Sequence, residues 1–387
     1  MEKDISIQRN VEDTIKAADS DFSIGNDLTH NNSDNTNENT KLNRLLTILE
    51  KTPISEAAYR LTLYPQIVNN QIELGAYNQA LLTLDEWENN VSESDKGTIW
   101  LKKGDVFTTI GNLDKAFIYF DKAFNFFEKN DDKANITFCL ERLGNTYSAM
   151  GNLDKALSFY ENFNNLIKEL YDESITNMSF KNGLAISYAK LGETHTALGN
   201  LDKGLAFYED YNRLEKELYD KNPTNVTFKN SLAISYSKLG QTHTALGNFD
   251  KALSYYQEMN KLFKEAFTSH VTNVFFKNGL AISYAKLGDT NTALGNIDKA
   301  LSFYEERERL SKELYITYPT NVSFKNNLAI SYANFGVFCR DNLKDILKAR
   351  SYFKQAESLW RELVRDAPHF VEFQKFLGIV QKDLEDL

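Results

Sequence analysis

Proline is scarce in this chain, 5 residues in 387, so little interrupts a helix once it has begun. Cysteine is scarcer still: Cys139 and Cys339 stand alone and far apart, which excludes a disulfide framework and a cysteine-rich metal cluster. No run approaches 18 uninterrupted apolar residues, so a membrane-spanning helix is not expected. The opening MEKDISIQRNVEDTIKAADS is charged throughout and lacks the apolar stretch of a secretory signal, which leads us to expect a soluble, cytoplasmic protein. Positive charge is also in short supply, with 44 Lys and Arg against 54 Asp and Glu and a formal net charge of -10. Sequence-independent nucleic-acid binding needs clustered cations to displace counterions from phosphates, so no nucleic-acid partner is expected. The phosphate-cradling GxxxxGK[ST], HExxH, GxSxG and paired catalytic carboxylates on a loop are all missing, and we expect no enzymatic activity, no cofactor and no metal.

What the chain has is repetition. GNLDKALSFY at 151 returns as GNLDKGLAFY at 199, GNFDKALSYY at 247 and GNIDKALSFY at 295, a period of 48 residues. A fixed period marks an array whose units each bury an apolar face only by stacking on their neighbours. The glycines that end each first helix are Gly75, Gly111, Gly151, Gly199, Gly247 and Gly295, so the spacing grows from 36 through 40 to 48.

One unit reads as two helices. In FKNSLAISYSKLGQTHTALG, Leu232, Tyr236, Leu239, His243 and Leu246 recur at alternating steps of four and three, the stripe of helix A. Phe249, Ala252, Tyr256, Met259, Leu262 and Phe263 form the stripe of helix B, with Gly247 as the stop before it and Asn248 placed to cap it. The connections NPTNV and YPTNV carry a proline that ends one helix and an asparagine, Asn225 or Asn321, suited to cap the next. The chain therefore divides into an Asn- and Asp-rich arm expected to be disordered (1–41), an irregular helical cap with a first repeat (42–93), regular repeats (94–368) and a C-terminal capping helix (369–387). Pro65 is expected to kink or split the helix around it.

Tyr236, Leu239-Gly240, Gly247, Phe249, Ala252 and Tyr256 fall at the spacing of the tetratricopeptide repeat, and the pattern recurs at Tyr188, Leu191-Gly192, Gly199 and Tyr208, and at Tyr284, Leu287-Gly288, Gly295, Ala300 and Tyr304. It is also present at Trp100, Gly104, Phe107, Gly111, Ala116, Phe120 and Ala123. The chain thus resembles that family from about 55 to 366, with late units 14 residues longer and with Gly204 in place of one helix B alanine. The resemblance implies an all-α superhelix of helical hairpins, a solenoid whose inner face is lined by helix A and binds a partner protein or peptide. It further implies a scaffold or adaptor, or else a peptide-responsive regulator that changes curvature to capture or release an output protein. Nothing in the sequence indicates a homo-oligomer.

The inner-face positions implied by the resemblance are small and polar: Glu193, Gln241 and Asp289 one turn after Leu-Gly, followed by Thr196, Thr244 and Thr292. Near the start of helix A, Phe-Lys-Asn recurs with Asn182, Asn230, Asn278 and Asn326. These amides could form a ladder along a bound peptide main chain, because each offers a donor and an acceptor. They could equally make local capping or inter-repeat hydrogen bonds. Four such bonds supply roughly 2–6 kcal/mol net, short of the about 8 kcal/mol of a micromolar complex. His195 and His243 occupy one position in successive units, and without a carboxylate or thiol at ligand spacing they read as core residues. Asp154-Lys155 and its counterparts read as solvated charges that suit the start of helix B, and Phe159-Tyr160 and its counterparts as packing between helices.

Overall fold

The computed structural model describes residues 35–53, 57–367 and 370–387, and among these there are helices and turns but no strand. The helices are α1 (Asn35–Lys51), α2 (Ala57–Glu73), α3 (Tyr77–Asn90), α4 (Lys96–Thr109), α5 (Leu113–Lys129), α6 (Lys133–Ala149), α7 (Leu153–Glu173) and α8 (Met178–Ala197). They continue as α9 (Leu201–Lys221), α10 (Val226–Ala245), α11 (Phe249–Ser269), α12 (Val274–Ala293), α13 (Ile297–Thr317), α14 (Val322–Phe338), α15 (Ile346–Asp366) and α16 (Val371–Glu385). From α4 to α15 they pair as hairpins, an A helix followed by a B helix. The fold class expected from the sequence, an all-α array of repeated hairpins, is the one observed. Two compact bodies divide between Leu214 and Glu215, within α9.

The arm read as 1–41 falls outside the described residues except for its last few, and those open α1 at Asn35. Pro65 does not split α2, which runs unbroken from Ala57 to Glu73. The side chains on either side of it, Leu63, Tyr64, Ile67 and Val68, are all buried, so packing holds the helix across the lost backbone donor. From α7 onward the B helices are 21 residues long, and the A helices α8, α10 and α12 are 20, against 14 for α4.

From α4 to α13 the turn inside each hairpin follows from its glycine, whereas between α14 and α15 Lys344 takes the left-handed conformation, with φ +58°. Gly247 has φ +73°, a left-handed conformation that an L side chain resists. There Gly247 N–H donates to the Thr244 carbonyl at 3.0 Å and Asn248 N–H to the His243 carbonyl at 2.8 Å, closing the end of the A helix. Asn112 and Asn152 then cap α5 and α7 by accepting from the amides of Lys115 and Lys155. Asn248 stands at the same position before α11, but its side chain makes no cap bond. The turn between hairpins is closed by Asn177, Asn225, Asn273 and Asn321, whose side chains accept from amides in the first turn of α8, α10, α12 and α14.

A further glycine on each A helix serves a different purpose, that of close approach. A Cβ added at Gly144, Gly192 or Gly240 would stand 2.5, 2.7 or 2.5 Å from the ring of Tyr160, Tyr208 or Tyr256 on the B helix of the same hairpin. Gly104 meets Phe120 and Gly336 meets Phe353 in the same way. The Leu-Gly pair therefore gives the B-helix ring a flat seat, and that ring is buried in every case. Between hairpins the same device appears once more: Phe263 of α11 lies on Gly279 of α12, with a notional Cβ at 2.4 Å.

Alanine at these seats forces the ring out. Gly240→Ala is expected to lower stability by about 1–3 kcal/mol, the usual cost of overpacking. Gly288→Ala should cost less, because its nearest ring atom, on Tyr304, lies 3.1 Å away. Urea denaturation followed by far-ultraviolet circular dichroism compares the two, and equal costs would show that the ring seat does not set the price of the extra methyl.

Candidate functional site

The Phe-Lys-Asn triplet begins each long A helix, and the structure gives its lysine a partner first. Lys229, Lys277 and Lys325 cross their own hairpins to Glu265, Glu313 and Glu362 at 3.5, 2.6 and 2.9 Å. The asparagines that follow are all half-buried, and they do not share one role. Asn278 accepts through Oδ1 from Nδ2 of Asn327 on the next A helix, at 3.1 Å. Asn326 accepts through Oδ1 from the Trp360 indole of α15 at 2.9 Å. The Oδ1 of Asn230 is buried with no hydrogen-bond partner. Asn182 stands at the same place on α8.

The positions after Leu-Gly divide between the hairpin's own B helix and the A helix they stand on. Asp289 accepts from the Tyr304 hydroxyl at 2.7 Å, as Asn145 does from Tyr160 at 2.8 Å. Gln241 instead donates to Ser237 at 3.3 Å, and Glu193 lies 4.0 Å from Lys190. Thr244 and Thr292 donate to the carbonyls of Gly240 and Gly288 at 2.9 Å, with their hydroxyls 3.4 and 3.5 Å from those of Tyr256 and Tyr304. Thr196 is the exception: its Oγ1 is buried without a partner, and the missing side chain of Gly204 leaves it room, since a Cβ there would come within 2.4 Å. Being four residues beyond the seat glycine, each threonine shares its face. That face meets helix B rather than opening onto a groove. Burial, reinforced by nearby carboxylates, raises the hydroxyls of Tyr160 and Tyr304 well above the ordinary tyrosine range, so they remain donors.

A second polar ladder joins hairpin to hairpin. Asn164 of α7 donates to Ser187 of α8, and Asn260 of α11 to Ser283 of α12, each at 2.8 Å. Each serine passes the chain on to the carbonyl of Leu184 or Leu280 at 2.7 Å. Its sequence signal is the recurrence of Asn164, Asn212 and Asn260, and of Ser187, Ser235 and Ser283, at the repeat period.

The histidines lie in ring stacks. His195 lies on Phe207 and His243 on Tyr255, both at 5.5 Å and within a few degrees of parallel, where an earlier hairpin stacks Tyr147 on Phe159. Burial, and then the Lys203 charge, holds the His195 imidazole below its usual range, so it is neutral. Among the described residues no group of three or more His, Cys, Asp or Glu is placed to hold a metal ion. Burial pushes the thiols up to about 12 at Cys139 and about 11 at Cys339, which leaves both unreactive at neutral pH.

Among the described residues Glu215 is the one carboxylate moved far from its range, up to about 7 from 4.5, by burial alone. It is 1% exposed and its Oε2 has no partner, at a position filled in other hairpins by Ile167 and Phe263. Since the folded value is raised, the group costs nothing below pH 4.5, where both states are protonated. Its cost grows as pH rises toward 7 and is constant above, at about 3 kcal/mol. Glu215→Met should therefore stabilise the protein progressively between pH 4.5 and 7, measured by urea denaturation across pH. A gain independent of pH would contradict the ionisation.

The tetratricopeptide repeat family matches the chain at residues 95–162 and again at 232–267, over hairpins that carry the ring-on-glycine seat. Those two stretches are tetratricopeptide repeats. Its fold is similar to that of RapI in its apo form, with a TM-score of 0.58 at 13% identity, covering 90% of this chain and 98% of that one. It is also similar to a signal transduction ATPase with numerous domains from Pyrococcus horikoshii, described as having a tetratricopeptide repeat sensor. That likeness has a TM-score of 0.57 at 18% identity and covers 88% of this chain but 55% of the other. At such identities the likeness is one of fold. No curated protein sequence matches this one. Tetratricopeptide repeats are in general protein-interaction scaffolds without enzymatic activity. Among the described residues no helix is long and apolar enough to cross a membrane.

Proposed function

We propose that this chain is a non-enzymatic scaffold or adaptor that holds a partner peptide or helix against the A helices within a body. The observation that carries this reading is the amide of Asn230, whose acceptor is buried and unanswered. A buried acceptor without a donor costs about 1–3 kcal/mol, and a turn of the half-buried amide that brings Oδ1 to the surface would let the main-chain N–H of a bound segment remove that cost. Asn182, at the equivalent place on α8, takes the same role in the first body. Asn278 and Asn326 are already engaged by Asn327 and Trp360, so they hold hairpins together, as Asp289, Thr244 and Thr292 hold helix B. Gln241 and Glu193 supply further polar contacts, about three turns along the same helices from Asn230 and Asn182. One or two amides give too little energy for a micromolar complex, so side-chain anchors on the partner complete the affinity. With a net charge of -10, a basic or neutral partner is favoured over nucleic acid.

A second reading, a peptide-responsive regulator, is favoured by the likeness to a protein whose own repeats are described as a sensor. It requires a change of arrangement among hairpins on binding, visible as compaction in small-angle scattering. An unchanged radius of gyration in the partner's presence would remove it.

The scaffold reading is tested by recovery of partners from host lysate with the full chain, with Asn230→Ala and with Asn326→Ala. Asn230→Ala should keep or raise its stability, since the unanswered acceptor goes, and lose the partner. Asn326→Ala should lose about 1–2 kcal/mol of stability, because the Trp360 indole loses its acceptor. A partner held equally by the folded Asn230→Ala protein would move the site off this face.

A further inference from the structure

In the second body one joint between hairpins is built unlike the others. Where α11 meets α12, the contact is apolar and closed: Met259 and Phe263 are fully buried, Phe263 sits on Gly279, and Asn260 donates to Ser283. One period later, where α13 meets α14, the same positions hold Arg307, Glu308, Ser311 and Asn327. Arg307, Ser311 and Asn327 are 9%, 3% and 8% exposed, so polar groups fill what the preceding joint fills with a thioether and a ring. The Asn-Ser staple is broken. Glu308 accepts instead from the Tyr352 hydroxyl at 2.9 Å, and Ser331, 1% exposed, has a hydroxyl with no partner.

The apolar core of this body divides at the same place. One cluster joins Leu232, Met259, Phe263, Phe276, Leu287 and Leu310; another joins Leu328, Phe335, Phe353, Trp360 and Phe373. Helix α13 reaches the second cluster with the buried Ala300 and Tyr304, the latter through ring contacts with Phe335 at 5.8 Å and Phe338 at 4.8 Å, and with Ile297, Leu301 and Tyr315 partly buried against it. In a repeat array, stability is close to a sum of unit and neighbour terms, so a weak joint is where the array uncouples.

We propose that α14, α15 and α16 form a separately opening unit that detaches from α13 at this polar joint. The segment from Tyr318 to Asn321 is the tether, and the Tyr304 ring contacts favour the closed state. The unit is held together internally by Trp360 on Asn326, by Lys325 with Glu362 and by Arg340, which donates to Asp383 of α16 at 2.6 Å. Opening exposes Asn278 of α12 together with Arg307 and Ser311, a polar surface that the closed array hides. The fold thereby carries a conformational device independent of any partner.

Hydrogen exchange of the full chain tests this, and the repeats supply their own control. FKNGLAISYA at 276 and FKNNLAISYA at 324 have nearly equal intrinsic exchange rates, so different protection reports different opening. Amides from Phe324 to Ser331 should exchange about tenfold or more faster than those from Phe276 to Ser283, together with buried amides of α15 and α16. A graft of the preceding joint, Arg307→Met, Glu308→Asn, Ser311→Phe and Asn327→Gly, should abolish the difference. Should circular dichroism show that the graft is misfolded, Arg307→Met with Glu308→Asn alone should narrow it. Equal protection in the natural protein would overturn the proposal. So would a difference that the folded variant leaves intact, since that is fraying of a terminal repeat.

Discussion

A ring laid on a glycine is the contact on which each hairpin depends. Helix A offers a bare backbone at Gly104, Gly144, Gly192, Gly240, Gly288 and Gly336, and helix B lays Phe120, Tyr160, Tyr208, Tyr256, Tyr304 or Phe353 across it. The absent Cβ lets the helices close to a distance at which the aromatic face is fully desolvated, worth about 2–3 kcal/mol per ring in buried area. The turn glycine then follows as a second requirement, because the chain must reverse within a few residues to bring that ring back. Once the rings are tyrosines, their buried hydroxyls need partners, and Asn145, Asp289, Thr244 and Thr292 stand around them.

Hairpins join one another by a different chemistry. Asn164 with Ser187 and Asn260 with Ser283 run a short hydrogen-bond chain into a leucine carbonyl, so the joint has a register as well as an apolar area. Replacing one member shifts the cost to its partner. Glu308 in place of asparagine leaves the Ser331 hydroxyl unanswered, and Asn327 in place of glycine captures Asn278. The array is regular in its hairpins and varied in its joints, which is where repeat proteins acquire local differences in stability.

Much of this was legible before any coordinates. The period, the two helices per unit, the glycine stops and the caps at Asn225 and Asn321 follow from local chemistry, and local chemistry repeats when sequence repeats. The core reading of His195 and His243 likewise rested on their place in the helix A stripe. What period alone cannot supply is the identity of the neighbour. Asn230, Asn278 and Asn326 share the context Phe-Lys-Asn, yet Asn278 meets an asparagine, Asn327, where the three preceding long A helices have Gly183, Ser231 and Gly279, and Asn326 meets a tryptophan 34 residues away. Thr244 and Thr292 lie beside the helix B tyrosines because a spacing of four from the seat glycine puts them there, and that placement is legible only once the seat is recognised.

The measurement that bears most directly on this account is a double-mutant cycle at Gly104 and Phe120, where a notional Cβ lies 2.3 Å from the ring and no hydroxyl complicates the balance. Gly104→Ala, Phe120→Leu and the double variant would be compared with the natural protein by urea denaturation. If the ring seat governs the hairpin, alanine destabilises strongly beside phenylalanine and far less beside leucine, with a coupling of about 1 kcal/mol or more. Strictly additive costs would mean that the helices close for reasons independent of the ring, and the account would fail at its base.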